Sequence, residues 1–194
     1  MNTRLSTEIS KRYDSHHRYI SAHSKGPQEN ILITNETPAR ACLADFGLWT
    51  LTPSAPGEMT AITAGDTAYY MAPELLDPGK FGKANNRPTR PADIYALGTV
   101  IYEVLIGFYP FYGQQFGKNR LVYHVVGGAR PTKPDNAEDI GFGNGTWELV
   151  KECWREKSTK RPTAERVLAH LANVSESSEL QLRPKYAWWR IYKR

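Results

Sequence analysis

Asp45-Phe46-Gly47 and Ala72-Pro73-Glu74 are the two short runs in this sequence that point most directly to chemistry, and their surroundings narrow it. Asn30 precedes an apolar run, Ile31-Leu32-Ile33. Thr67-Ala68-Tyr69-Tyr70-Met71 leads into the second run, and Asp93-Ile94-Tyr95-Ala96-Leu97-Gly98 and then Arg161-Pro162 follow it. Asn30 and Asp45 offer oxygen donors of the kind that hold Mg²⁺, and Glu74 and Arg161 offer opposite charges able to pair, so the set could serve metal-dependent chemistry on an anionic substrate. Each piece alone has a plainer reading. Asn30 reads as a turn residue, Asp45 as part of a β-turn, Asp93 as the N-cap of the helix starting near it, and Glu74 and Arg161 as solvated charges. Short motifs often occur by chance, but a fixed succession of them does not, and the ordered set outweighs the separate readings.

The elements that would position these residues follow from local pattern. Residues 31–34 and about 39–44 are β-rich runs separated by Asn35-Glu36-Thr37, which predicts a hairpin with Asp45 at a strand end. From Leu48 to Gly65 the mixture of Thr, Ser, Pro and Gly has neither helical nor strand period and reads as a mobile loop. Pro91 can open a helix at its first turn. Ile94, Leu97, Val100, Ile101, Val104 and Leu105 then recur at helical spacing until Gly107, predicting a buried central helix. An amphipathic stretch at about 117–126 is followed by the breaker Gly127-Gly128-Ala129-Arg130-Pro131. Two further helices are predicted at about 146–156 and 163–174, the second with Val167, Leu168 and Leu171 on one face. Trp147 and Trp154 read as core residues. In residues 1–22, Leu5, Ile9 and Tyr13 fall at four-residue spacing, compatible with one short helix that no N-cap supports.

Composition bounds the rest. A chain of 194 residues with 40% apolar content can bury one substantial core and is not disordered throughout. Cys42 and Cys153 read as reduced core residues of an intracellular, cytoplasmic protein, with no disulfide implied. The longest apolar run is interrupted by Glu103 and is too short to span a bilayer. Arg183, Lys185, Arg190, Lys193 and Arg194, with no acid among them, account for the whole formal net charge of +5. The body is therefore neutral and is not a nucleic-acid binder by charge. That tail also carries Tyr186, Trp188, Trp189 and Tyr192, a mixture able to touch anionic lipid, nucleic acid or an acidic partner, although a floppy extension is the plainer reading. His16, His17, His124 and His170 have no metal-ligand spacing.

Taken together, these landmarks resemble the large, mostly helical C-terminal lobe of the protein kinase superfamily. Gly82 to Gly98, and Cys153-Trp154 before Arg161-Pro162-Thr163, look like the tyrosine-kinase-like Ser/Thr kinases abundant in fungi. The resemblance implies a mainly α fold: a kinase-like C-terminal lobe, helical with a short β-hairpin, and without the small N-terminal lobe. It divides the chain into a poorly patterned segment 1–22, a lobe over 23–175 and a basic aromatic tail over 176–194. It also implies ATP and Mg²⁺ as cofactors and a protein substrate or signalling partner. Asn30 matches the Asn on the second Mg²⁺ and Asp45 the primary Mg²⁺ ligand. Phe46 and Gly47 complete the motif that sets the active arrangement, and Thr67 matches the Thr typical of Ser/Thr kinases. Asp93 corresponds to the buried helix Asp that ties down the catalytic loop, and Glu74 and Arg161 to the ion pair that clamps the activation segment.

The catalytic loop departs from the family. His23-Ser24-Lys25-Gly26-Pro27-Gln28-Glu29-Asn30 aligns with His-Arg-Asp-Leu-Lys-Pro-Glu-Asn, so Lys25 stands where the catalytic Asp belongs and Pro27 replaces the phosphate-facing Lys. An ammonium with an ordinary pKa of about 10.4 cannot accept a substrate proton at neutral pH. The sequence before residue 23 contains no Gly-rich loop and no Val-Ala-Ile-Lys strand. The expectations are therefore a truncated or mis-spliced kinase domain inactive alone, a pseudokinase lobe acting as a binding module, or an unstable fragment.

Overall fold

The computed structural model describes residues 17–19, 31–34, 41–43, 68–112, 118–138 and 142–176, which fall in two compact units, Met1–Ala55 and Pro56–Arg194. In the first unit, β1 (His17–Tyr19), β2 (Ile31–Thr34) and β3 (Ala41–Leu43) form an antiparallel sheet in that order. Ile31 pairs with Leu43 and Ile33 with Ala41, the hairpin expected from the sequence with its second strand shortened. β1 was not expected, because His-Arg-Tyr shows no alternation; it owes its extended form to pairing, with Arg18 opposite Ile33. The short helix expected on Leu5, Ile9 and Tyr13 lies outside the described residues.

The second unit contains α1 (Pro73–Leu76), α2 (Arg90–Ile106), α3 (Lys118–Val126), α4 (Asn144–Cys153), a 3₁₀ turn at Ser158–Lys160 and α5 (Ala164–Glu176). α2 is the central element. Its first turn is capped by Thr89, whose hydroxyl accepts from the Ala92 N–H at 3.3 Å, and Pro91 sits in that turn, where its missing N–H costs nothing. Gly107 ends it in the left-handed region at φ 79°, with its N–H on Glu103 O at 2.7 Å.

The buried face of α2 carries Tyr95, Gly98, Thr99 and Tyr102 and packs on α4. Gly98 is required by that approach, since a Cβ there would lie 2.5 Å from Cys153 Cβ. The apolar spacing suggested a helix buried by its aliphatic residues, but Val104 is 49% exposed. α2 is apolar nearly all round, and the rings in and flanking α4 choose its inner face. Tyr102 packs against Phe142, Trp147 and Trp154, at ring-centroid distances of 6.1, 6.5 and 5.3 Å. Trp154 Nε1 donates to Thr99 Oγ1 at 3.0 Å, and Tyr102 OH donates to Thr132 O at 3.0 Å, so the polar atoms inside the aromatic cluster are paired. Both tryptophans belong to this core, as expected. Leu121 and Val125 of α3 and Val167 of α5 complete the core, but Leu168, expected on the same face as Val167, is 69% exposed.

Candidate functional site

Glu74 and Arg161, 87 residues apart, form the most heavily bonded charged pair of the described residues. Pro73 opens α1 and sets Glu74 in its first turn. Arg161 Nη1 meets Glu74 Oε1 at 2.6 Å and Nη2 meets Oε2 at 2.7 Å, with the two side chains 0% and 4% exposed. The remaining guanidinium donors reach backbone carbonyls of Arg155 at 2.9 Å, Pro91 at 2.9 Å and Glu156 at 3.5 Å. One planar fork thus ties α1, the start of α2 and the loop before α5 together, a role its rigid donor geometry suits.

The clamp is stiffened by groups that sequence reasoning missed. Tyr95 lies between two cations, with Arg130 and Arg161 each 5.2 Å from its ring centre. Burial pushes the Tyr95 hydroxyl above its ordinary range, against the opposing pull of the two guanidinium groups. Arg130 Nε donates to Trp154 O at 3.0 Å and Nη1 to Val125 O at 3.0 Å, joining the clamp to α3 and α4. Tyr70, four residues before Glu74, donates its hydroxyl to Glu103 Oε2 at 2.5 Å, and Glu103 is 2% exposed. In the sequence Glu103 only interrupts an apolar run; a carboxylate inside such a run needs a buried donor, and that need is the signal for its partner.

Asp93 corrects one expectation: it is not the N-cap, because α2 begins at Arg90 and Thr89 caps it. Its side chain is exposed, and the catalytic loop that the resemblance has it hold lies outside the described residues. Partial desolvation at the first helical turn still raises its pKa above the ordinary carboxylate value. Lys25, Asn30, Asp45, Phe46, Gly47 and Thr67 lie outside the described residues. Among the described residues, no cluster of His, Cys, Asp and Glu could hold a metal ion, and no helix is long and apolar enough to cross a membrane.

The protein kinase domain family matches residues 16–171, a span that includes Asn30, Asp45, Glu74, Asp93 and Arg161. The chain belongs to the protein kinase domain family. The α1–α5 body is the helical C-terminal lobe of that fold. Similar relatives include the serine/threonine-protein kinase mos of Patiria pectinifera, 28% identical over 162 residues, which are 81% of this chain and 42% of that one. Human receptor-interacting serine/threonine-protein kinase 1 is 29% identical over 150 residues, 73% of this chain and 21% of its own. MAP kinase-activated protein kinase 2 of Drosophila melanogaster is 38% identical over 106 residues, 54% of this chain and 27% of its own. The chain spans less than half the length of these relatives.

Proposed function

We propose that this chain is the helical lobe of a Ser/Thr-type protein kinase of the tyrosine-kinase-like group, and that these 194 residues do not transfer phosphate by themselves. The observation that carries the proposal is Lys25 in the catalytic-loop position where the family places its proton-accepting Asp. Asn30 and Asp45 offer an amide and a carboxylate oxygen, the hard donors that suit Mg²⁺, and bound Mg·ATP would supply the transferable phosphoryl group. Pro27 brings no charge to that group. The lobe would span 23–175, flanked by 1–22 and by the basic aromatic tail 176–194, in a cytoplasmic setting.

A second reading, a non-catalytic lobe that binds a protein partner, is favoured by the clamp and aromatic core, which need no catalytic base to be useful. One assay tests the proposal: phosphate transfer from Mg·ATP to generic Ser/Thr peptides by the purified chain. We expect none above background, and none after Lys25→Asp, because positioning of the nucleotide contributes more than one base worth about 10²- to 10⁴-fold. Mg²⁺-dependent transfer that disappears in Asp45→Ala would overturn it.

A further inference from the structure

Beside the clamp lies a cavity of about 440 Å³, lined by Phe81 and Lys83 from the chain after α1, by residues 156–159 from the chain before α5, and by Glu74. The volume is of the size that small-ligand sites occupy, about 300–1,000 Å³, and exceeds what a bare inorganic anion needs. Its charged groups differ in how far they are already satisfied. Both Glu74 oxygens are taken by Arg161, and all of Arg161's donors are spent, so neither is available to a ligand. Lys80, on the same loop, donates to Val126 O at 2.7 Å and does not line the cavity. Lys83 and Lys157 do line it, and neither ammonium group has a hydrogen-bond or ion-pair partner among the described residues, their only bonds there being backbone ones. Ser158 and Thr159 add hydroxyls, Phe81 an apolar wall, and Glu156 one opposing carboxylate. Arg161's bonds to the Arg155 and Glu156 carbonyls fix the second wall against α1, so the cavity is held open by the same guanidinium that makes the clamp.

We propose that this cavity binds a phosphomonoester carried on a peptide side chain, with the dianion between the Lys83 and Lys157 ammonium groups and the Ser158 and Thr159 hydroxyls donating to it. Lysine serves as a point charge for phosphate, and hydrogen bonds to an ionised acceptor are the strong ones. The Phe81 ring meets the apolar part of the side chain that carries the phosphate. A phosphotyrosine peptide fits best, because its ring would extend along that wall. Glu156 works against the anion, so removing its charge strengthens binding. The inference is independent of catalysis, since none of these side chains has a part in phosphoryl transfer.

Isothermal titration of the full 194-residue chain tests it, using an acetylated phosphotyrosine peptide, its unphosphorylated twin and inorganic phosphate. The phosphopeptide should bind saturably, about tenfold or more tighter than either control, with affinity falling as salt rises. Lys83→Ala with Lys157→Ala should weaken it at least about tenfold, and Glu156→Gln should tighten it several-fold, since two ammonium groups act together on a dianion while one carboxylate opposes it. Both lysines are exposed, and unchanged melting curves separate loss of binding from loss of fold; Lys83→Gln with Lys157→Gln serves if the alanine pair melts early. Equal affinity for the unphosphorylated twin, equal affinity for inorganic phosphate, or phosphopeptide binding unmoved by the lysine substitutions would each overturn the proposal.

Discussion

Residues 68–176 and residues 23–47 carry different parts of one family signature, and they differ in what they retain. In the later stretch, Glu74 and Arg161 meet with full bidentate geometry, and Tyr95 and Arg130 extend the clamp into the aromatic core. In the earlier one, the function proposed above rests on Lys25 standing where the family has its proton acceptor. A residue that holds elements together is tested by stability, and a residue that moves a proton is tested by rate.

The clamp should break the comparison most forcefully. Removing either Glu74 or Arg161 strands a charge among buried groups and should cost about 3–5 kcal/mol in denaturant unfolding. Arg161→Ala should be the worse of the two, because it also leaves the Pro91 and Arg155 carbonyls without their donor. In the Glu74→Ala, Arg161→Ala cycle the coupling energy should be large, on the order of the 0.5–3 kcal/mol seen for residues in contact. Additive single-mutant costs would mean that the pair does not hold the lobe.

The second-largest effect belongs to Tyr70→Phe. It removes the hydroxyl that donates to Glu103 Oε2, and hydrogen bonds to a charged group contribute about 1.5–3 kcal/mol. Glu103→Gln, which keeps the shape and drops the charge, should cost less than Tyr70→Phe does, and a Tyr70→Phe variant as stable as the parent would remove the pair from the account.

These two pairs also show what was legible in the sequence and what was not. The ends of α2 were readable, because Pro91 and Gly107 act locally, through a fixed φ and a left-handed φ. The Glu74–Arg161 contact was readable only through the order of motifs, since no local rule joins residues 87 apart. The inner face of α2 was not readable. A helix apolar on every side gives periodicity nothing to choose between, and the choice fell to Tyr102 and the rings that meet it. Arg130 looked like part of a loop breaker, yet its guanidinium is placed over Tyr95 by the packing of α3 and α4, which no window of residues contains.

Alkaline pH probes the core behind the clamp. Burial pushes the Cys153 thiol from its ordinary 9.0 up to about 11, and the Tyr102 hydroxyl from 10.0 up to about 12. Each folded-state pKa lies above the unfolded one, so the stabilisation is fully present below pH about 9, falls as the unfolded chain alone loses its protons, and is gone once pH passes the folded values. The melting temperature should be flat from pH 7 to 8.5 and fall from about 9 upward. In a Cys42→Ser background, a thiol reagent at pH 8 should label Cys153 only as fast as the lobe unfolds, since the buried thiol is not ionised. Rapid labelling of the folded chain would show that the α2–α4 seam opens.

The smallest expected effect completes the comparison, because it applies the same chemistry in a different medium. Lys151 Nζ lies 2.7 Å from Glu148 Oε1, as close as the clamp contacts, but the two side chains are 47% and 64% exposed. Water screens this pair, so its double-mutant coupling should be about 0.3–0.5 kcal/mol at low salt, and Glu148→Ala alone should shift stability by less than about 0.5 kcal/mol. Salt separates the two pairs. In 1 M NaCl the Debye length falls to about 3 Å, and the Lys151–Glu148 coupling should vanish while the Glu74–Arg161 coupling persists, because ions cannot enter a pair that solvent does not reach. Parallel loss of both couplings with salt would mean that the clamp is solvated, and the contrast between holding residues and chemical residues would then lose its physical basis.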